Sequence, residues 1–157
     1  AGADLLMLEM MVDIDRMMVT LEAAVETNLP VWVGVSCKPN ENGEMCLLNG
    51  ELLQKAIRRL AETEVDLINI MHTDVEFIDD CLEILSAEWA GLKGVYAHSS
   101  KMVGTEWTFN DVISEEEYSQ FVSRWISKGI NLVGGCCGIT TDHMHYISQN
   151  VSQFNNG

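Results

Sequence analysis

The chain has 157 residues, of which 47% are hydrophobic and 21% charged, a composition typical of a soluble globular domain. Its 24 acidic and 9 basic residues give a formal net charge of −15, which argues against a nucleic-acid-binding surface and against docking on anionic membranes. No apolar run reaches the ~20 residues that a membrane-spanning helix needs. We therefore expect small-molecule partners, no nucleic acid and no membrane.

Five cysteines are an odd number, and two of them are adjacent, which is unlike a secreted disulfide framework. Reduced thiols in the cytoplasm fit this pattern better. The chain lacks an initiator methionine and opens directly into an apolar run. We therefore expect residues 1–157 to form a single partial domain of a longer protein.

Apolar runs and amphipathic stretches alternate along the chain. The predicted elements, in order, are strand 4–9, helix 14–27, strand 31–36, helix 51–63, strand 65–71, helix 73–87, strand 94–97, helix 114–128, strand 130–133 and helix 142–154. Residues 37–50, which contain Pro39 and Gly43, are predicted to be a loop. A second loop contains Gly104 and Trp107.

Two helix starts have the spacing of a capping box, in which Ser or Thr is followed three residues later by Glu. These pairs are Thr73 with Glu76 and Ser114 with Glu117. Five β-α units with apolar strands predict an α/β fold with a parallel sheet and right-handed crossovers, as in a portion of a (β/α) barrel. In such barrels the chemistry gathers at the carboxyl ends of the strands.

The last predicted strand ends in Gly134-Gly-Cys-Cys-Gly138, followed by Thr140, Thr141 or Asp142 as helix N-cap. Neighbouring side chains on a regular strand point to opposite faces, so the chain must bend for Cys136 and Cys137 to share one target. The glycines permit that bend. Two thiols at a strand end indicate a soft-metal site, which we expect to be a zinc site; a pair of buried, inert cysteines is the alternative.

Ligand-type side chains also follow the other strands. His72, after the third strand, is the natural third ligand, and three protein ligands with an open fourth position are typical of catalytic zinc. His72 as a cap of the following helix, and Cys37 as a replacement ligand, remain open. Glu9, after the first strand, is either a solvated carboxylate or an acceptor for a substrate ammonium group.

The other histidines and cysteines are assigned structural roles. His98 is predicted to form hydrogen bonds at the rim of the barrel. Cys46 and Cys81 are predicted to be inert, and His143 and His145 to be structural residues of the final helix.

The segment Gly134–Gly138 followed by Thr-Thr-Asp-His resembles the zinc-binding signature of the homocysteine S-methyltransferase family. Upstream, Tyr96-Ala-His-Ser-Ser100 with Trp107 is similar to the family's Tyr-Pro-Asn-Ser-Gly segment and its following Trp. Residues 30–36 and 4–9 resemble the family's fifth and fourth strands. The resemblance implies strands 4–8 of a (β/α)8 TIM-type barrel, with the first three strands missing.

The resemblance also implies an activity: zinc-dependent transfer of a methyl group from an activated donor to the thiol of homocysteine, giving methionine. His72, Cys136 and Cys137 would hold the zinc, and Glu9 the homocysteine amino group. His72 stands where the family has Cys, in Asn69-Ile-Met-His72 against Gly-x-Asn-Cys. This exchange either preserves zinc with one unit less negative charge or marks a degenerate, non-catalytic metal- or thiol-binding fragment.

A five-strand slice of a barrel leaves two open sheet edges and one open barrel face. We therefore expect the chain alone to be inactive and to be able to self-associate through its edges.

Overall fold

A computed structural model describes residues 2–99, 101–103, 106–108 and 112–154. The helices are α1 (Ile14–Val25), α2 (Leu53–Ala61), α3 (Ile78–Glu88), α4 (Glu115–Ser127) and α5 (Thr141–Phe154). The strands are β1 (Leu6–Met11), β2 (Val31–Pro39), β3 (Met45–Leu47), β4 (Leu67–Asp74), β5 (Leu92–His98), β6 (Lys101–Val103), β7 (Glu106–Thr108) and β8 (Leu132–Val133). Gly104, which the sequence places in a loop, lies outside the described residues, as does the side chain of Trp107.

The main sheet is parallel, and its strands are arranged in the order β1-β2-β4-β5-β8, which is their order along the chain. Each neighbouring pair is joined by a crossover that contains a helix. Strands that follow one another in chain order with helical crossovers are the arrangement of a (β/α) barrel. In a doubly wound sheet the strand order instead reverses at a switch point within the sheet. The predicted α/β class and parallel barrel portion are therefore confirmed.

The helices cover one face of the sheet. Val33, Ile68 and Val95, from β2, β4 and β5, are fully buried in a core shared with the helices. In α2 the spacing of Leu53, Ala56, Ile57 and Leu60 places all four on one buried side. Burying a large aliphatic side chain contributes about 1.5–3 kcal/mol, so this packing determines which face of each strand is turned toward the helices.

The opposite face of the sheet, which corresponds to the inside of a barrel, carries the intervening residues. A Cβ atom at Gly34 on β2 would meet the Tyr96 hydroxyl from β5 and the Met71 sulfur from β4. These three residues, from three neighbouring strands, therefore share this inner face. Asn69 is also fully buried here, beside Gly94 of the neighbouring strand.

The loop predicted at residues 37–50 is wrong in part. Strand β2 continues to Pro39 and pairs antiparallel with β3, from Cys37 opposite Leu47 to Pro39 opposite Met45. The turn is closed by Asn40, whose side chain accepts hydrogen bonds from the main-chain N–H groups of residues 42 and 44. A three-residue apolar run after Pro and Gly carries too little periodicity to predict a strand.

Of the two predicted capping boxes, one is confirmed and one is wrong. Ser114 and Glu117 make both reciprocal hydrogen bonds at the start of α4. At the other site Asp74, not Thr73, accepts the Glu76 N–H and caps a 3-10 turn, Val75–Phe77, that precedes α3. Thr73 is buried, where its hydroxyl accepts a hydrogen bond from the Cys37 N–H. The strand runs further than its apolar stretch indicates, so the helix begins later.

Candidate metal centre

Two strands of the sheet become irregular at the same end. The register of β1 shifts between Leu8 and Met11, and the register of β4 shifts between Met71 and Asp74. Within these shifts Met10 has φ 55° and His72 has φ 42°. Such left-handed conformations are uncommon for residues other than glycine, and bulges of this kind re-aim side chains beside active sites. The irregularity turns His72 toward the neighbouring strand ends.

The adjacent cysteines lie just beyond β8, and the main chain there still follows β5. The Cys136 N–H donates to the Ala97 carbonyl at 2.9 Å, and the Ser99 N–H donates to the Cys137 carbonyl at 2.9 Å. The loop then turns through Gly138, whose φ of 86° suits glycine. Both thiols consequently face His72, as the predicted bend requires.

The three potential ligands lie within bonding reach of one point. His72 Nδ1 is 3.3 Å from Cys136 Sγ and 3.7 Å from Cys137 Sγ, and the two sulfurs are 3.8 Å apart. Tetrahedral zinc with bonds of about 2.3 Å to sulfur and about 2.0–2.1 Å to nitrogen places two sulfurs ~3.8 Å apart and sulfur and nitrogen ~3.6 Å apart. The spacing and chemistry of these donors fit zinc.

Burial adjusts the protonation of these ligands. His72 is half-buried, and this desolvation lowers its pKa and favours the neutral imidazole, the form that binds a metal. Desolvation also raises the pKa of Cys136, with the neighbouring Cys137 and the Glu9 charge as further causes. In the described part of the chain, these three residues are the only group of three or more potential ligands close enough to hold one metal ion.

Glu9 lies at the same rim but outside the ligand group. Its side chain is exposed, and its charge acts on both Cys136 and Tyr96. Burial first, and then the Glu9 carboxylate, raise the pKa of Tyr96, so this hydroxyl stays protonated. The hydroxyl also lies 3.2 Å from Met71 Sδ. The predicted site lacks Tyr96, although the alternation of Gly94, Tyr96 and His98 along β5 places all three on the inner face of the sheet.

The remaining histidines and cysteines take other places. Cys37, the alternative ligand, is buried in the core beside Cys81, and the contact between these thiols is the first cause that raises the pKa of Cys81. Cys46 is also buried. His98 is half-buried, with its ring centroid 4.8 Å from that of His72 and a hydrogen bond to the His72 main chain.

The histidines of α5 differ in burial. His143 is buried, and His145 is exposed and contacts Gln149. Over the described ranges, every helix falls short of the length and apolar character that a bilayer-spanning helix needs.

The chain is similar to solved structures of the homocysteine methyltransferase MmuM from Escherichia coli. The metallated form aligns with a TM-score of 0.74 and 20% identity, over 95% of this chain and 46% of that chain. The oxidised form aligns with a TM-score of 0.75 over the same shares. This likeness supports the barrel fold.

Curated relatives have related names. A selenocysteine methyltransferase from Astragalus bisulcatus is 26% identical over 97% of this chain and 46% of its own length. Homocysteine S-methyltransferase 1 from Brassica oleracea var. italica is 23% identical over 98% of this chain and 48% of its own length. The chain thus spans about half the length of these relatives. The sequence model of the family described as homocysteine S-methyltransferase matches residues 1–151. The chain therefore belongs to the homocysteine S-methyltransferase family.

Proposed function

We propose that this protein, as part of a complete barrel, transfers a methyl group from an activated donor to the thiol of homocysteine, giving methionine. Zinc would be held by His72, Cys136 and Cys137. The observation that carries the proposal is the near-tetrahedral spacing of their three ligand atoms, beside an exposed carboxylate at the carboxyl ends of the strands. A site with three protein ligands leaves a fourth position for a substrate sulfur.

Each residue has a task that follows from its surroundings. The bound zinc would supply the positive charge that keeps the substrate sulfur as a thiolate at neutral pH. Glu9, exposed at the rim, binds the substrate ammonium group and so orients the amino acid. His72 contributes a neutral donor, because burial lowers its pKa. Tyr96 stays protonated beside Glu9, which suits a hydroxyl that donates to the carboxylate.

The first experiment measures metal content per chain on protein purified without added metal. We expect about one zinc per wild-type chain and a large loss in Cys136→Ser. Cys46→Ala is the matched control, because Cys46 is a buried cysteine outside the ligand group, and it should keep the metal. A folded wild-type protein without zinc would contradict the proposed metal centre.

A second candidate is a non-catalytic metal- or thiol-binding barrel portion. It is favoured by the imidazole in the ligand group. Homocysteine-dependent methyl transfer by the complete barrel, assayed with S-methylmethionine, S-adenosylmethionine and betaine, separates the two candidates. Zinc and homocysteine binding without turnover from any of these donors would favour the binding role.

We also propose that residues 1–157 form one partial barrel domain and that the protein works in the cytoplasm. The single sheet shared by all five β-α units supports the first statement. The free state of all five cysteines supports the second.

A further inference from the structure

A closed ring of hydrogen bonds encloses the loop that follows the adjacent cysteines. The Ser99 N–H donates to the Cys137 carbonyl at 2.9 Å, and the Ile113 N–H donates to Ser99 Oγ at 2.9 Å. His143 Nε2 then donates to the Ile113 carbonyl at 2.8 Å, and His143 Nδ1 accepts from the Thr140 N–H at 3.2 Å. The main chain from Thr140 back to Cys137 completes the ring.

His143 is the side chain that joins the start of α5 to the segment before α4 in this ring. It is 4% exposed, and its partners leave one choice of tautomer. A carbonyl only accepts and a main-chain N–H only donates, so Nε2 carries the hydrogen and Nδ1 is the acceptor. Thr140 Oγ1 lies 3.0 Å from the same Nδ1. The imidazole thus connects the start of α5 with the segment before α4, and Ile113 of that segment is in turn bonded to Ser99, just after β5.

A second contact ties His143 to the same loop. The Tyr118 ring packs edge-on against His143 with centroids 5.9 Å apart. The Tyr118 hydroxyl donates to the Gly134 carbonyl at 2.8 Å. The segment that carries Cys136 and Cys137 is therefore held in front of the cysteines through Tyr118 and behind them through His143.

We propose that His143 is a positioning residue that holds the thiols of Cys136 and Cys137 at the spacing a metal ion requires. This inference rests on the metal site of the proposed function. His143 is not a ligand and acts through the main chain of the loop. A preorganised pair of thiols loses less conformational freedom on binding a metal, so the ring raises metal affinity. Partners that hydrogen-bond directly to a metal ligand typically change metal affinity by about 10–100-fold, and His143 acts one step further away.

The chain offers a matched control on the same helix. His145 lies two residues further along α5, is exposed, and contacts Gln149 in the same helix. Replacing either histidine with leucine removes one imidazole from α5. Only the change at His143 removes hydrogen bonds from the closed ring, those to the Ile113 carbonyl and the Thr140 N–H.

The test is a titration of metal-free protein with Co2+, which reports the dissociation constant and the absorption of the thiolate–cobalt bonds. We expect His143→Leu to weaken binding by about tenfold and to alter the spectrum, and His145→Leu to match wild type. His143→Gln retains a donor for the Ile113 carbonyl, and His143→Asn retains an acceptor for the Thr140 N–H. Both variants should fall between wild type and His143→Leu, and they carry the test if the leucine variant does not fold.

A control for general loss of stability is Ile57→Val, which trims a fully buried residue of α2 that is absent from the ring. If Ile57→Val weakens Co2+ binding as much as the His143 variants, or if the His143 variants bind like wild type, the proposal is overturned.

A separate readout distinguishes failure of the ring from failure of the metal site. If wild type binds neither Zn2+ nor Co2+, the proposed metal centre fails, and alkylation of the metal-free thiols by iodoacetamide tests the ring alone. Faster alkylation of Cys136 and Cys137 in His143→Leu than in His145→Leu supports a positioning role. Equal rates overturn it.

Discussion

At His72 an imidazole completes a ligand group that otherwise consists of two thiols. A site with His72 carries one negative charge fewer than a site with three thiolates. We expect His72→Cys to raise the rate of methyl transfer from the bound homocysteine sulfur and to raise the apparent pKa of that thiol, because added negative charge makes the sulfur more nucleophilic and harder to deprotonate. The pH dependence of single-turnover transfer in the zinc-loaded complete barrel measures both quantities.

His98→Asn is the control for this exchange, because it removes the neighbouring imidazole without changing the ligand group. It should leave the thiol pKa close to the wild-type value. Unchanged rate and unchanged thiol pKa in His72→Cys would refute the effect of ligand charge.

Glu9 and Tyr96 are both proposed to help bind the ammonium group of homocysteine. A hydrogen bond to a charged group contributes about 1.5–3 kcal/mol, so Glu9→Gln should weaken homocysteine binding by about tenfold or more. Tyr96→Phe should weaken it less, because the carboxylate remains but loses the neighbouring hydroxyl. Calorimetric titration of zinc-loaded protein with homocysteine measures both, and both variants should keep wild-type zinc content. Equal homocysteine affinity in Glu9→Gln and wild type would leave Glu9 as a solvated carboxylate.

At the scale of single elements, the conformation of the loop after Cys136 and Cys137 depends on Gly138. Its φ is 86°, and a Cβ atom there would collide with the Ser99 carbonyl oxygen. Gly129, after α4, has φ 85° with nothing within 4 Å of such a Cβ. Gly129→Ala should therefore cost only the strain of the left-handed conformation, about 1 kcal/mol, and leave metal binding unchanged.

Gly138→Ala should destabilise the protein more than Gly129→Ala and also weaken Co2+ binding, because the collision displaces the loop that carries both thiols. Thermal unfolding and Co2+ titration of the two variants compare these effects. Equal losses of stability with unchanged Co2+ affinity would show that the loop accommodates the added methyl group.

The start of α1 is stabilised by a residue distant in sequence. The Glu51 carboxylate accepts the Ile14 N–H at 2.9 Å and an Asn49 side-chain N–H at 2.7 Å. The Asn49 hydrogen bond first, and then the Ile14 hydrogen bond, lower the pKa of Glu51 below its ordinary value of 4.5. A lowered folded-state pKa means that the stabilisation is complete above pH 4.5 and is lost as the pH falls through the folded value.

We therefore expect Glu51→Gln to lower the thermal midpoint at pH 7 and the difference from wild type to shrink progressively below pH 4.5. Glu22→Gln, on the exposed side of α1, should show little change at either pH. A difference between Glu51→Gln and wild type that is independent of pH would contradict this account.

For residues 1–157 on their own, net charge and the unpaired ends of the sheet act in opposite directions. Within the described residues, β1 and β8 form the two ends of the main sheet. Free strand edges favour pairing with another chain, whereas a formal charge of −15 repels copies of the chain. We propose that the chain self-associates through these edges once the repulsion is screened. Sedimentation equilibrium should show more association at 1 M than at 0.05 M NaCl, because the Debye length falls to about 3 Å at 1 M salt. A monomer at both salt concentrations would contradict this proposal.

Much of this molecule is determined by local sequence. Alternating apolar strands and amphipathic helices predict the β-α order and the parallel sheet, because burial depends on periodicity that a short segment already contains. The Ser114–Glu117 capping box is equally local. The Gly-Gly-Cys-Cys-Gly segment at a strand end predicts that two thiols lie at the carboxyl edge, and the position of His72 after the third strand makes it the natural third ligand.

Only the tertiary structure decided how these residues meet. The bulges that turn His72, the β2–β3 hairpin, the distant Glu51 contact with α1 and the ring through His143 all join segments far apart in the chain. Such contacts depend on register and on packing of the helices over the sheet, and neither leaves a periodic signal in the sequence. The sequence thus determined which side chains reach the rim, and the folded sheet decided that His72, Cys136 and Cys137 lie at the spacing of metal ligands, because that spacing depends on how three strands align.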